Sequence, residues 1–177
     1  MAYHHFHTEE FWENCPPELE SFRADNDGIR NAYFLMGDQN DNPPTVMIMD
    51  LPPGGVLRHH FHNSERVEIV IRGEIHSAGS VFRAGDVMTA RQGEAYGPNP
   101  VAGPDWATTA EMFSNYRGAT ETNYPMPDGE VLTVDLTDPT FGQSCRRSLS
   151  RSESANCIDR CASGPRSVHA AGSAGFT

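Results

Sequence analysis

The sequence predicts an all-β protein, a single β-barrel or double-sheet jelly roll with little helix. Three observations carry this expectation. Short runs rich in β-branched and apolar residues recur along the chain, such as Thr45–Leu51, Arg66–Arg72 and Thr108–Ser114. Clusters of Gly, Pro, Asn and Asp separate them. No helical stretch falls between consecutive runs, as βαβ units would require, so the strands are expected to pair antiparallel.

Taken in order, residues 1–30 are polar and acidic, and Glu9–Asn14 suits a short helical turn stopped by Cys15-Pro16-Pro17. Asn31–Gly37 reads as a strand and Asp38–Pro44 as a turn-rich loop. Strands are then expected at Thr45–Leu51, Val56–His62, Arg66–Arg72, Glu74–Ser77, Gly79–Arg83, Asp86–Ala90, Ala95–Gly97 and Thr108–Ser114. A last strand, Glu130–Leu136, follows the turn Met126-Pro127-Asp128-Gly129. Residues 1–140 thus form one barrel domain with an N-terminal extension. Residues 141–177 are rich in Ser, Arg, Ala and Gly and lack periodicity. Five Arg against Glu153 and Asp159 give them a charge of +3, leaving −14 of the total −11 on residues 1–140. Such a tail cannot bury enough apolar surface to offset its ordering entropy, and disorder is expected. It reads either as a flexible segment docking on the acidic body or as a non-selected extension.

At 177 residues the chain is one domain's worth, enough to bury roughly two-thirds of its unfolded surface. No apolar run is long enough to span a membrane, and the N-terminus lacks the basic start and apolar run of a signal peptide. A soluble cytoplasmic protein is expected. All thirteen basic residues are arginine, and the net charge of −11 speaks against nucleic acid as a partner. Cys15, Cys145, Cys157 and Cys161 are too sparse and uneven for a disulfide scaffold.

The chemistry concentrates in Gly54-Gly55-Val56-Leu57-Arg58-His59-His60-Phe61-His62. On a strand, His60 and His62 share a face about 6–7 Å apart, and two such imidazoles can meet at one metal ion. The spacing Gly54-x5-His60-x-His62, with Gly73 eleven residues on, resembles the first motif of the cupin superfamily. The family's glutamate position falls at Arg66, with Glu65 and Glu68 on either side. Strand parity favours Glu68, and a bulge near Ser64 would admit either. The second motif corresponds to Gly85–Tyr96: Gly85 and Gly93 match, Arg91 replaces a proline, and Tyr96 stands where the family has its third histidine.

The resemblance implies a cupin barrel with a divalent metal, Fe(II) first and Zn or Mn as alternatives. His60, His62 and Glu68 would be its ligands, with Tyr96 as fourth ligand or as a catalytic acid. Arg58 and Arg66, if inward, would bind a substrate carboxylate or enolate. An inward Arg66 paired with Glu68 would instead replace a metal ligand by a structural ion pair. Arg72 shares the parity of Glu68 and is read as a solvated strand end. His59 should face away from the pair, and His76 is a lesser candidate for the pocket. His4, His5 and His7 form a local cluster, and Cys157, Cys161 and His169 are a poor zinc signal. The loop Tyr96–Trp106 suits a rigid lid or a dimer contact.

Three functions follow. The first is a non-haem metal-dependent dioxygenase acting on a small carbonyl or phenolic compound. The second is a non-catalytic ligand-binding or sensory module with a degenerate metal site. The third is an isomerase or lyase using Tyr96 as proton carrier. A homodimer is expected, and the stripe Val67, Ile69 and Ile71 on the face opposite Glu68 suits either an inter-sheet core or a dimer contact.

Overall fold

A computed structural model describes residues 2–20, 28–96 and 101–138. The expected tail and residues 97–100 of the loop after Tyr96 lie outside the described residues. The all-β expectation holds. The strands are β1 (Arg30–Leu35), β2 (Thr45–Leu51), β3 (Arg66–Arg72), β4 (Glu74–Ser77), β5 (Ser80–Arg83), β6 (Val87–Ala90), β7 (Val101–Ala102), β8 (Ala107–Phe113), β9 (Glu121–Pro125) and β10 (Val131–Asp135). Among the described residues two five-residue helices accompany them, α1 (Glu9–Glu13) and α2 (Tyr116–Thr120). Among the described residues no helix is long and apolar enough to cross a membrane.

One wall is a five-stranded antiparallel sheet in the order β1-β2-β8-β3-β6. The opposing wall comprises the sheet β5-β4-β7 and the hairpin β9-β10. Isolated bridges stitch it together: Val56 to Val101, His60 to Tyr96 and Phe61 to Asn123. The expected strand Val56–His62 is therefore present only as separate bridges, because its neighbours meet it one residue at a time. Of the expected strand Ala95–Gly97, Tyr96 contributes an isolated bridge, and Gly97 lies outside the described residues. The hairpin closes on the Met126–Gly129 turn, where Met126 N–H donates to Glu130 C=O at 2.8 Å. Its first strand, β9, and the helix α2 were not expected from the sequence. Asn115 caps α2 by accepting from Gly118 N–H at 2.7 Å.

Alternation decides what enters the barrel. The register places Arg66 beside Phe113, Glu68 beside Glu111 and Val70 beside Thr109. These face inward with Met47 and Met49 of β2 and Asn31 and Tyr33 of β1. The register then slips between Val70 and Arg72. This bulge breaks the parity that linked Arg72 to Glu68 and turns Arg72 toward Asp50 (2.7 Å) and Thr108 (3.1 Å). The N-terminal segment covers the outer face near β1 and β2, where Phe11 and Trp12 pack with Ala32 and Ile48.

Gly73 of the first motif has a structural reason. Its φ is +72°, and a Cβ there would stand 2.4 Å from the Trp106 carbonyl oxygen. Gly79 has a similar φ of +76° but open space around it. Gly79→Ala should therefore lose only about 1 kcal/mol, the backbone term, whereas Gly73→Ala should lose roughly 3 kcal/mol or more. Urea denaturation of the two variants checks the contrast, and equal losses would contradict it.

Candidate functional site

The segment carrying the histidines is clamped from both sides. Phe61 and Asn123 exchange backbone hydrogen bonds at 2.9 Å each, Tyr96 N–H donates to His60 C=O at 3.2 Å, and Gly93 N–H donates to His62 C=O at 2.9 Å. These bonds aim His60 and His62 into the barrel, with ring centroids 5.1 Å apart. His60 Nδ1–H donates to the Arg58 carbonyl and His62 Nδ1–H to the Glu121 carbonyl at 3.0 Å. Because a carbonyl can only accept, both protons belong on Nδ1 and both Nε2 atoms carry lone pairs. His60 Nε2 accepts from the Tyr96 hydroxyl at 3.0 Å.

Burial lowers His60 to about 3, helped by the neighbouring His62 and by Arg66. His62 falls to about 4 through burial and the Arg66 charge. Both rings are neutral at physiological pH. Burial likewise pushes the Tyr96 phenol well above its ordinary range, against the pull of the Arg66 charge, so it remains a hydrogen-bond donor.

Arg66, only 5% exposed, is the centre of the polar network. Its Nη2 meets Glu68 at 2.8 Å, its Nη1 donates to Glu111, and its guanidinium lies 3.8 Å from the Tyr96 ring centroid. Glu68 and Glu111 stand opposite each other in the register, where like charges repel. Arg66 relieves that repulsion. Burial opposes its charge, but Glu111, Tyr96 and Glu68 together hold it above its usual range. Glu68 is raised to about 7, by burial first and Glu111 second, against the pull of Arg66.

The cavity in front of these groups measures about 240 Å³. Arg58, His60, His62, Arg66 and Glu111 form its polar part, and Tyr33, Met47, Met49, Leu57 and Leu136 much of its apolar part. Arg58 also lies 5.9 Å from the Tyr124 ring centroid. His59 turns away from the pair and donates to the Tyr96 carbonyl at 2.9 Å. His76 is exposed beside Glu74, and His4 packs on Phe34. Cys157, Cys161 and His169 lie outside the described residues. Sequence reasoning missed Glu111, Tyr124 and Asn31. An acid amid the apolar alternation of Thr109–Phe113 was the available signal for Glu111.

These donors do not fit a metal ion. Two neutral imidazoles point inward, but the Glu68 carboxylate is taken by Arg66 and Tyr96 keeps its proton. Among the described residues no group of three His, Cys, Asp or Glu could hold one. A divalent ion at the two imidazoles would also face the guanidinium whose charge already depresses them.

The same groups set a pH dependence. His60 and His62, depressed from 6.5, contribute stability above pH 6.5 that is lost as the pH falls toward 3–4. Glu68, raised from 4.5, contributes stability below pH 4.5 that is lost as the pH rises to about 7. Between those limits two histidines oppose one glutamate, so stability falls on acidification. Glu68→Gln removes the opposing group and should steepen the loss between pH 6.5 and 5 by roughly 1 kcal/mol per pH unit. Urea denaturation at the two pH values reads this, and an unchanged slope would contradict it.

No protein-family model and no curated protein matches the chain. Solved structures do. An acetylacetone dioxygenase from Acinetobacter johnsonii is similar over 80% of this chain and 91% of its own, with a TM-score of 0.53 and 15% identity. A candidate acetylacetone dioxygenase from Methylibium petroleiphilum PM1 is similar over 79% and 93%, with a TM-score of 0.51 and 15% identity. A cupin-like protein of unknown function from Ralstonia eutropha JMP134 is similar over 73% and 80%, with a TM-score of 0.50 and 18% identity. With its two β walls and the paired inward histidines, the chain has the cupin fold.

Proposed function

We propose that this chain binds a small carbonyl or phenolic compound in its barrel and does so without a metal ion. The observation that carries the reading is the buried Arg66 guanidinium, which engages Glu68 and Glu111 and presses on the two histidines. A cation already resident at the polar end makes a second, divalent one unfavourable. What remains is a pocket with neutral imidazole acceptors, phenol donors and an apolar wall, the composition of a small-molecule site.

The dioxygenase reading, with Fe(II), Zn or Mn at His60, His62, Glu68 and Tyr96, draws on the acetylacetone dioxygenase neighbours. It needs an anionic ligand free to turn toward the imidazoles, and Glu68 is committed to Arg66. One contact favours a second reading, an isomerase or lyase. Tyr96 Oη lies 3.0 Å from His60 Nε2, so Tyr96 would give its proton to a bound carbonyl oxygen while the His60 Nε2 lone pair takes one from the adjacent carbon.

Protein incubated anaerobically with Fe²⁺, or with Zn²⁺, and then desalted should retain far less than one metal ion per chain by elemental analysis. Tyr96→Phe should behave the same. Retention of one ion per chain that disappears in the His60→Ala, His62→Ala double variant would overturn the proposal.

A further inference from the structure

The pocket has a second polar point, remote from Arg66. Across the sheet Arg66 aligns with Phe113, Thr45 and then Leu35. Asn31 lies four residues along β1 from that rung, about 13 Å in strand length. It is 2% exposed and lines the cavity, yet its Oδ1 accepts no hydrogen bond. Buried polar atoms are nearly always matched, and leaving one unmatched costs about 1–3 kcal/mol. An acceptor kept bare inside a binding cavity is accounted for when a ligand supplies the donor.

The other constraints concern size and charge. A dry cavity of about 150 Å³ holds benzene. A volume of about 240 Å³ therefore takes one ring with substituents. Between Asn31 and the histidines the wall is apolar, formed by Tyr33, Met47, Met49 and Leu136. At the far end the Arg66 guanidinium is already engaged by Glu68 and Glu111. An anion would find no net attraction there and would lose its hydration.

We infer that the ligand is an uncharged molecule of single-ring size whose hydroxyl or N–H donates to Asn31 Oδ1. This rests on the metal-free binding reading above and adds to it the class of ligand and the residue that selects it.

Phenol, anisole and benzoate test the inference, titrated at pH 7 into the full chain and followed by amide NMR. Phenol and anisole share a ring and differ in the donor, and benzoate supplies the anion. Phenol should bind saturably and about tenfold more tightly than anisole, the worth of one hydrogen bond. Benzoate should bind more weakly than phenol, and Asn31→Leu should bring phenol down to the level of anisole. Equal binding of phenol and anisole to the wild type, or tighter binding of benzoate, overturns the inference and leaves the binding reading standing. If none of the three binds, both fall. Should Asn31→Leu fail to fold, the phenol-to-anisole ratio of the wild type decides.

Discussion

A guanidinium inside a β-barrel must bring its counter-charges with it, and Arg66 does so through Glu68 of its own strand and Glu111 of the strand beside it. The dependence runs both ways. Two carboxyls opposite each other on a buried face repel and lack solvation, so neither is tolerable without the cation between them. The Tyr96 ring lies against the guanidinium. Two strands and the loop below the histidines are thereby tied at one point.

The character of the pocket follows from that triad. The Arg66 charge adds to burial in keeping both imidazoles neutral, and their Nδ1 protons are held by backbone carbonyls. Tyr96 is left as a donor to His60 Nε2. The polar end is therefore a set of neutral hydrogen-bonding groups around a compensated cation. Such a site distinguishes ligands by shape and by the placement of donors and acceptors more than by charge.

Local pattern made much of this legible. The His60-Phe61-His62 alternation, Tyr96 in the second motif, and the parity joining Arg66 to Glu68 could all be read along the chain, and the structure brings His60, His62, Tyr96, Arg66 and Glu68 to one region. Partners that come from distant strands could not. Glu111 meets Arg66 only through the β3–β8 register, and Asn31 enters the cavity only because β1 pairs with β2. Arg72 is exposed, in keeping with its reading as a solvated strand end, but the bulge after Val70 that takes it off the face of Glu68 was not legible, since a one-residue insertion cannot be seen in an apolar run. Strand β9 was hidden because Glu121-Thr122-Asn123-Tyr124-Pro125 is polar and ends in proline. It is ordered by its hairpin partner and by Phe61 rather than by its own propensity.

The central claim is that Arg66 and Glu111 act as one buried unit, and a double-mutant cycle in urea measures it most directly. Arg66→Met leaves two buried carboxyls without their cation and should cost roughly 3–5 kcal/mol. Glu111→Gln should be destabilising in its own right. The account predicts that the double variant loses at least 1 kcal/mol less than the sum of the single losses. Additivity within about 0.5 kcal/mol would contradict it, because two groups that do not depend on each other cannot organise the pocket described above.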